Sequence, residues 1–237
     1  MPCSVDSELD MADNPMLSRS HEDYLKVIYD LEAQFGVAQT NAIAEVLDLA
    51  PPSVSQMMAR LAELRLVDRA RNRGVRLTKS GCKAALRVLR RHRIIETYLI
   101  EKLGYEWDSV HAEADRLEHA ASDELVETMA HAVGNPRYDP HGAPIPTSAG
   151  DLEQPEVVLM TELSVGAAGQ LRMVGDHDPK RLRFLASLGL KPGTRFKVLA
   201  RQPFHGPLTL QFEGADQREQ VVGFELANSL ACMTEEE

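Results

Sequence analysis

The stretch PPSVSQMMARLAELRLVDRARNRGVRLT, residues 51–78, decides the fold of the N-terminal part of the chain. Its first half opens with two prolines and then spaces apolar residues at helical intervals, which predicts a helix from Pro51 to Leu64. Its second half reads as two short, basic strands around a turn at Gly74. A helix followed by a basic β-hairpin is typical of the wing that accompanies a helix-turn-helix.

Two further helices are predicted before this stretch. An apolar stripe predicts a first helix that ends at Gly36, and either Thr40 or Asn41 can cap a short second helix. Two short helices joined by a tight connection are typical of helix-turn-helix. We therefore predict a winged helix-turn-helix domain over residues 20–78, after a disordered N-terminus of residues 1–19.

The rest of the chain predicts two more units, so the fold class is mainly α with a small C-terminal β-barrel. Residues 79–134 carry helical periodicity, with a long helix from about Lys79 to Leu103 and a helical block from about Asp108 to Ala132 that breaks near Ser122. They are predicted to form a helical domain. Residues 135–155 are rich in proline and read as an extended connector. Short apolar runs among glycine turns over residues 156–234 predict the small barrel.

Charge is unevenly distributed along the chain. The net charge is −10, yet residues 51–93 carry twelve Lys or Arg against two acidic residues. A basic block inside an acidic chain is typical of an electrostatic footprint for phosphate. No apolar run approaches the roughly 20 residues that span a bilayer, and the acidic start is unlike a secretory signal. We therefore expect a cytoplasmic protein that contacts no membrane.

The predicted third helix presents a face suited to DNA. The residues that helical spacing leaves available to the major groove are Pro52, Ser53, Ser55, Gln56 and Arg60. The arginines of the predicted wing are Arg71, Arg73 and Arg76. We expect Gln56 to pair with adenine, and we expect the arginines to hold phosphates. The alternative is an ordinary three-helix domain of a protein–protein adaptor.

Residues 110–119, VHAEADRLEH, predict a metal site. His111, Asp115, Glu118 and His119 follow one another at i, i+4, i+7 and i+8. At ~100° per residue a continuous helix would confine all four to an arc of about 100°. The alternative is an ordinary polar outer face of a helix.

Other helices add residues of the same chemistry. His92 and Glu96 are i, i+4 neighbours on the preceding helix, and Asp23 offers a carboxylate from the first helix. Converging carboxylates and imidazoles suit Mn²⁺, Fe²⁺, Co²⁺ or Zn²⁺. A metallohydrolase is the alternative from another class, because such clusters also build two-metal catalytic sites. A metal-independent winged-helix regulator, whose barrel binds a peptide or another protein, is the third reading.

These motifs, in this order, resemble the diphtheria-toxin-repressor family of metal-dependent transcriptional regulators, particularly its manganese-sensing members. The resemblance covers the chain from about residue 20 to its end, since GPLTLQF and residues 182–193 are similar to the family's SH3-like domain. The segments that carry it are HEDYLKVIYDL, PPSVSQMMARL, RRHRIIETYL, VHAEADRLEH and DPHGAPIP.

The resemblance implies that residues 79–134 form the metal-binding and dimerisation domain, and it implies two metal sites. The primary regulatory site would consist of Asp23, His92, Asp115, Glu118 and His119. An ancillary site would lie around Glu96 and His111, with further ligands from Asp139, His141 or Asp178. Asp178 has a second reading as a helix cap, because it stands in a DHDP run.

The resemblance also bears on the identity of the metal. Iron-sensing relatives have Met where Asp23 stands and Cys where Asp115 stands, and hard oxygen in place of soft sulfur favours Mn²⁺. Fe²⁺ is the alternative, with Co²⁺ or Zn²⁺ as substitutes. Two departures bear on this preference: Lys26 replaces a second first-helix carboxylate, and Asp115 is one methylene shorter than the Glu of manganese regulators.

The resulting hypothesis is a homodimeric repressor of metal-uptake genes. Bound metal would tie the first helix to the second domain and hold two recognition helices about 34 Å apart on palindromic, double-stranded operator DNA. No catalytic residues and no organic cofactor are expected.

Overall fold

The computed structural model describes residues 17–70, 74–175, 178–213 and 218–234. The predictions for residues 1–16, Arg71 and Arg73 concern residues outside these ranges. The chain divides into two compact units, and the first, unit 1, consists of Met1–Arg91, Glu118–Ala121 and Pro146–Leu152. The second, unit 2, consists of His92–Leu117, Ser122–Ile145 and Glu153–Glu237. Within the described ranges, every helix is too short or too polar to cross a membrane.

Three helices of unit 1 match the sequence prediction. They are α1 (Arg19–Phe35), α2 (Thr40–Val46) and α3 (Pro51–Glu63). The Ser18 side chain accepts a hydrogen bond from the His21 N–H at the start of α1, and Gly36 ends this helix with a φ of 74°. The prolines at the start of α3 need no N–H partner there, which fixes where the helix begins.

The predicted wing is a three-stranded antiparallel sheet. Its strands are β1 (Ala38–Gln39), β2 (Val67–Arg69) and β3 (Gly74–Leu77), in the order β1-β3-β2. The sequence pattern predicted only two strands, because β1 is too short to show an alternation. A side chain at Gly74 would put its Cβ 2.6 Å from the Val37 side chain, so β1 can approach β3 only beside a glycine.

Glu32 joins α1 to the wing within unit 1. This residue is buried, and its carboxylate accepts a hydrogen bond from the Leu77 N–H at 2.8 Å. Arg76 Nε donates to the Gly36 carbonyl oxygen at 2.8 Å beside it. The two bonds fix the edge of the wing against the end of the first helix.

The helical middle of the chain was also predicted, including its break. The helix α4 (Lys79–Leu103) has the predicted bounds and contributes residues to both units. It is followed by α5 (Val110–Leu117) and α6 (Asp123–Ala132), and Ser122 caps the start of α6 through the Leu125 N–H. The continuous arc predicted for residues 111–119 is interrupted, because α5 ends at Leu117.

Unit 2 also holds a six-stranded antiparallel sheet. Its strands are β4 (Val158–Leu159), β5 (Ala168–Val174), β6 (Arg195–Arg201), β7 (Leu208–Phe212), β8 (Glu219–Val222) and β9 (Leu230–Thr234). The short helix Met160–Glu162, α7 (Pro179–Leu188) and α8 (Phe224–Ala227) accompany it.

The prediction of a closed barrel was wrong. The strand order is β4-β9-β5-β6-β7-β8, so in the described residues β4 and β8 are edges that pair with one neighbour each. The two residues of β4 have too few backbone groups to pair on both sides. The apolar core nevertheless lies along the strands and α7, with Phe196, Leu171 and Leu182 fully buried.

Removing the Glu32 carboxylate should destabilise unit 1. Glu32→Ala leaves the partly buried Leu77 N–H without an acceptor, and we expect the free energy of unfolding to fall by about 1–3 kcal/mol. Urea denaturation of the full chain measures this change. Glu45→Ala, at an exposed position of α2, is the control and should change stability by less than about 0.5 kcal/mol. Equal stability of the two variants would contradict the role given to Glu32.

Candidate metal centre

Three groups of imidazole and carboxylate side chains are close enough to hold a cation in the described part of the chain. In each group, three ligand atoms lie within 4.8 Å of one another. We call them the α1 cluster (Asp23, Glu118, His119), the two-histidine cluster (His92, His111, Asp115) and the connector cluster (Glu96, Asp139, His141). The α1 cluster belongs to unit 1 and the other two belong to unit 2.

The α1 cluster is centred on the His119 ring. His119 Nε2 lies 2.9 Å from Asp23 Oδ1 and 3.4 Å from Glu118 Oε1, and the Glu118 side chain is fully buried. On the other side of the ring, His119 Nδ1 lies 2.6 Å from Glu22 Oε2. Because Glu22 can only accept a hydrogen bond when ionised, it favours the ring form that carries its proton on Nδ1.

In that ring form, His119 Nε2 carries a lone pair that faces carboxylate oxygens of Asp23 and Glu118. The atom is buried and makes no hydrogen bond, although Asp23 Oδ1 is 2.9 Å away. Three acceptor atoms that face one another without a hydrogen repel, and a divalent cation among them turns the repulsion into attraction. The α1 cluster therefore fits a metal ion.

Two basic residues balance part of the negative charge at this cluster. Lys26 Nζ lies 2.9 Å from Glu118 Oε1, and Arg91 lies 3.1 Å from Glu22 Oε1. Partial burial raises the pKa of the Asp23 carboxyl. A cation at His119 Nε2 would thus share the Glu118 carboxylate with the Lys26 ammonium group.

Glu96 forms a compact triangle of ligand atoms with the two imidazoles of the two-histidine cluster. Glu96 Oε1 lies 3.0 Å from both His92 Nε2 and His111 Nδ1, and these nitrogens lie 2.9 Å apart. Neighbouring ligands of an octahedral ion with bonds of about 2.1 Å are separated by about 3 Å. The three atoms therefore have the spacing of one face of an octahedral metal site.

Asp115 lies on the opposite side of the same two rings. Its Oδ1 is 3.3 Å from His92 Nδ1, and its Oδ2 is 3.5 Å from His111 Nε2. The Asp115 side chain is 39% exposed, whereas those of His92 and Glu96 are 6% and 2% exposed. Asp115 therefore contacts both rings from the solvent side, away from Glu96.

The connector cluster holds the second oxygen of Glu96. His141 Nδ1 lies 3.7 Å from Glu96 Oε2, and His141 Nε2 lies 3.0 Å from the Trp107 carbonyl oxygen. Asp139 Oδ1 accepts hydrogen bonds from the N–H groups of His141 and Ala143, which fixes the loop that carries the histidine. Glu96 consequently connects the two clusters of unit 2 through its two oxygens.

Electrostatics keep Glu96 ionised in this buried position. Burial alone would raise the pKa of its carboxyl, but the neighbouring imidazoles of His111, His141 and His92 hold the pKa well below its usual range. Burial and the charge of Glu96 raise the pKa of Asp139. Burial lowers the pKa of His141, but the attraction of the Glu96 carboxylate outweighs this and raises the value. A permanent anion among imidazoles is what a metal site requires.

The structure divides the predicted primary set and locates the remaining candidates. Asp23, Glu118 and His119 come together in unit 1, whereas His92 and Asp115 come together with His111 in unit 2. The Asp178 carboxylate accepts a hydrogen bond from the Lys180 N–H and caps α7, in agreement with its second reading. Sequence reasoning missed Glu22, which precedes Asp23 in the same motif.

The predicted DNA-contacting face of α3 is exposed. Gln56 and Arg60 are exposed, as are Pro52, Ser53 and Ser55. The Ser55 hydroxyl donates to the Pro51 carbonyl oxygen at 3.0 Å, so its proton is used within the helix. Arg76 is also exposed, although its Nε donates to the Gly36 carbonyl oxygen.

Comparison with known families matches nearly the whole chain. Residues 16–75 match the N-terminal DNA binding domain of the iron dependent repressors. Residues 78–147 match the metal binding and dimerisation domain of the same family, and residues 158–229 match the FeoA domain.

Individual relatives agree with these matches. The chain is 36% identical over 190 residues to the iron-dependent repressor IdeR of Mycobacterium tuberculosis, which covers 75% of this chain and 82% of that protein. It is 31% identical over 191 residues to the diphtheria toxin repressor of Corynebacterium efficiens, covering 76% and 83%.

Solved structures give the same result. A manganese-dependent transcriptional repressor in complex with manganese is similar, with a TM-score of 0.85 and 37% identity, over 91% of this chain and 100% of that one. The ScaR structure with bound Zn²⁺ has a TM-score of 0.77 and 29% identity, over 91% and 99%.

These matches exclude the metallohydrolase and the metal-independent regulator, because the family consists of metal-dependent DNA-binding repressors and not of enzymes. The chain belongs to the iron-dependent repressor family, which includes IdeR and the diphtheria toxin repressor, and is a metal-dependent transcriptional repressor.

Proposed function

We propose that Mn²⁺ bound at the α1 cluster switches a homodimer of this chain onto palindromic operator DNA and so represses genes for metal uptake. The observation that carries the proposal is the buried His119 Nε2, which faces two carboxylate oxygens without a hydrogen bond. A cation at this point is bound by Asp23 of α1, the first helix of the predicted DNA-binding domain.

The ligand chemistry supports Mn²⁺. All three clusters consist of carboxylates and imidazoles, with neither thiolate nor thioether among them. Such hard ligands suit Mn²⁺ better than ligand sets that contain sulfur. A similar solved repressor is named as manganese-dependent, which agrees with this choice, while the name of IdeR keeps Fe²⁺ as the alternative. Co²⁺ and Zn²⁺ can substitute, because they bind nitrogen and oxygen ligands at least as tightly.

The switch acts through the position of α1. Glu118 and His119 lie in the short segment Glu118–Ala121, which is part of unit 1 together with α1. A cation shared by Asp23, Glu118 and His119 fixes this segment to the helix. Since Glu32 and Gly36 join the end of α1 to the wing, the constraint reaches both parts of the DNA-binding domain.

The clusters of unit 2 form a second cation site in this proposal. Glu96 is its centre, with His92 and His111 on one oxygen and His141 on the other. Asp139 fixes the His141 loop through backbone N–H groups. This site corresponds to the ancillary site that the family resemblance implies.

DNA binding follows the geometry of helix-turn-helix proteins. The DNA-binding domain of residues 20–78 inserts the exposed face of α3 into the major groove, with Gln56 toward adenine and the wing arginines toward phosphates. Residues 79–134 supply the dimer contact, residues 135–155 the connector and residues 156–234 the FeoA-like domain. The dimer places its two recognition helices about 34 Å apart.

A gel shift with a palindromic promoter fragment tests the switch. We expect the metal-free protein to bind weakly and added Mn²⁺ to raise the affinity by about 5- to 150-fold, the usual range of coupling between two sites. Parallel titrations with Fe²⁺ and Zn²⁺ rank the cations. Equal binding with Mn²⁺ and with a chelator would contradict the proposal.

Glu118→Gln should uncouple metal from DNA. The substitution keeps the volume of the buried side chain but removes a charged ligand, so we expect the Mn²⁺ affinity of the α1 cluster to fall by more than about tenfold. The same gel shift and a Mn²⁺ titration measure it, and circular dichroism checks the fold. Glu124→Gln, at an exposed position of α6, is the matched control. An unchanged Mn²⁺ response in Glu118→Gln would rule out the α1 cluster as the switch.

Gln56→Ala should reduce base discrimination without affecting metal. Loss of a bidentate contact to adenine is expected to cost roughly 1–3 kcal/mol against the matching operator and nothing against unrelated DNA. Affinities for operators altered at single base pairs locate the contact. Gln34→Ala, exposed on α1, serves as the control. Uniform weakening on all sequences would identify Gln56 as a positioning contact.

A further inference from the structure

We infer that Trp107 is a positioning residue for His141, which it holds so that Nδ1 of this imidazole faces the Glu96 carboxylate and is available to a cation. Trp107 lies in the turn before α5, and His141 lies in the connector. The inference rests on the proposed function, because it concerns the second cation site. It adds a residue that belongs to none of the three clusters, whose members are carboxylates and imidazoles.

The orientation of the His141 ring depends on the backbone of Trp107. His141 Nε2 lies 3.0 Å from the Trp107 carbonyl oxygen, and a carbonyl oxygen can only accept a hydrogen bond, so Nε2 carries a hydrogen. The other nitrogen, Nδ1, lies 3.7 Å from Glu96 Oε2. In the neutral ring the lone pair is therefore on the side of the carboxylate. This ring form offers Nδ1 to a cation that Glu96 also binds.

The indole group of Trp107 restrains the backbone beside the same histidine. Trp107 Nε1 donates a hydrogen bond to the Pro140 carbonyl oxygen at 2.9 Å, and Pro140 directly precedes His141. The indole and imidazole rings lie 5.1 Å apart between their centroids, with 32° between their planes. Trp107 thus contacts the histidine at its ring and at the preceding peptide group. These contacts limit both rotation of the ring and displacement of the loop.

Trp107 is itself fixed by the FeoA-like part of unit 2. Its half-buried side chain packs against the apolar core of the six-stranded sheet, and Lys191 Nζ lies 5.4 Å from the centroid of its ring. The next residue, Asp108, accepts a hydrogen bond from Arg183 of α7. All of these residues belong to unit 2. The FeoA-like domain therefore holds the turn that orients His141.

Strand β5 contacts the His141 loop directly. The Val174 N–H donates a hydrogen bond to the His141 carbonyl oxygen at 2.9 Å. Gly142 has a φ of 88°, and a Cβ at this position would lie 1.8 Å from the Arg172 carbonyl oxygen. Only glycine allows the loop to approach the strand this closely. His141 is consequently held by its own backbone at β5, and by its ring and the preceding peptide group at Trp107.

The test is a calorimetric Mn²⁺ titration of Trp107→Phe in a chain that already carries Glu118→Gln. This background weakens the α1 cluster, so the unit 2 site can be measured by itself. Phenylalanine keeps an aromatic ring against the core of the sheet but has no N–H for the Pro140 carbonyl oxygen. We expect the Mn²⁺ affinity of the unit 2 site to fall by about 10- to 100-fold, the usual effect of losing a group that orients a metal ligand.

Tyr105→Phe in the same background is the matched control. Tyr105 lies in the same segment between α4 and α5, and it is 40% exposed. We expect this substitution to change the Mn²⁺ affinity by less than about twofold, and circular dichroism checks the fold of both variants. Equal Mn²⁺ affinities of the Trp107→Phe and Tyr105→Phe chains would overturn the inference.

Glu96→Gln in the same background separates failure of the inference from failure of the proposed function. We expect it to weaken the remaining Mn²⁺ binding by more than about tenfold, because Glu96 is the centre of the unit 2 site. Unchanged binding would refute that site, and with it the inference. Failure of the α1 switch is recognised independently, since Glu118→Gln alone would then bind Mn²⁺ and operator DNA like the native chain.

The protonated nitrogen of His141 provides a readout that a general loss of stability would not move, and it needs no substitution at Trp107. We expect ¹⁵N chemical shifts of the Zn²⁺-loaded Glu118→Gln chain to show the His141 proton on Nε2 and the metal on Nδ1. A proton on Nδ1 would overturn the inference, because the ring would then donate no hydrogen bond to the Trp107 carbonyl oxygen.

Discussion

The constraint on which the site depends is the burial of two carboxylates. The side chains of Glu118 and Glu96 are 0% and 2% exposed, and a buried carboxylate is costly unless positive charge or hydrogen-bond donors surround it. Glu118 has Lys26, and Glu96 has three imidazoles. When a cation is bound, the imidazole nitrogens that face both carboxylates would offer lone pairs to it instead of hydrogens to the carboxylates. Metal binding therefore completes a charge balance that the protein alone only partly provides.

Groups of opposite charge serve the two proposed functions of the chain, DNA binding and metal binding. In the proposed function, basic residues of α3 and the wing contact DNA phosphates, whereas carboxylates and imidazoles supply the cation ligands. Asp23 would connect these functions, because it belongs to the α1 cluster and lies on α1 of the DNA-binding domain. A metal ion at the α1 cluster would compete with the Lys26 ammonium group for the Glu118 carboxylate. The metal affinity of the cluster therefore depends on how much more strongly this carboxylate binds the metal ion than the ammonium group.

Much of this arrangement could be predicted from sequence, where local spacing decides the outcome. The bounds of α4, the break before α6 and the wing follow from periodicity, capping residues and glycine. The strands β1 and β4 could not be predicted, because two residues show no alternation and pair only in the folded chain. Closure of the sheet into a barrel also depends on pairing at edges that no local pattern records.

The candidate site shows the same division. Helical spacing identified His111, Asp115, Glu118 and His119 as candidate ligands. However, α5 ends at Leu117, so Glu118 and His119 no longer follow the spacing of the helix. Asp115 consequently lies beside His92 and His111, while Glu118 and His119 lie beside Asp23. Residue types predicted the chemistry, and the end of one helix decided which ligands meet.

The most direct test is whether metal binding and DNA binding strengthen each other by the same factor. If cation binding at the α1 cluster and operator binding are coupled, each must raise the affinity of the other by the same factor. Calorimetric Mn²⁺ titrations with and without saturating operator measure that factor from the metal side. We expect tighter Mn²⁺ binding in the presence of operator, by the factor by which Mn²⁺ tightens operator binding. Identical Mn²⁺ affinities in the two titrations would contradict it.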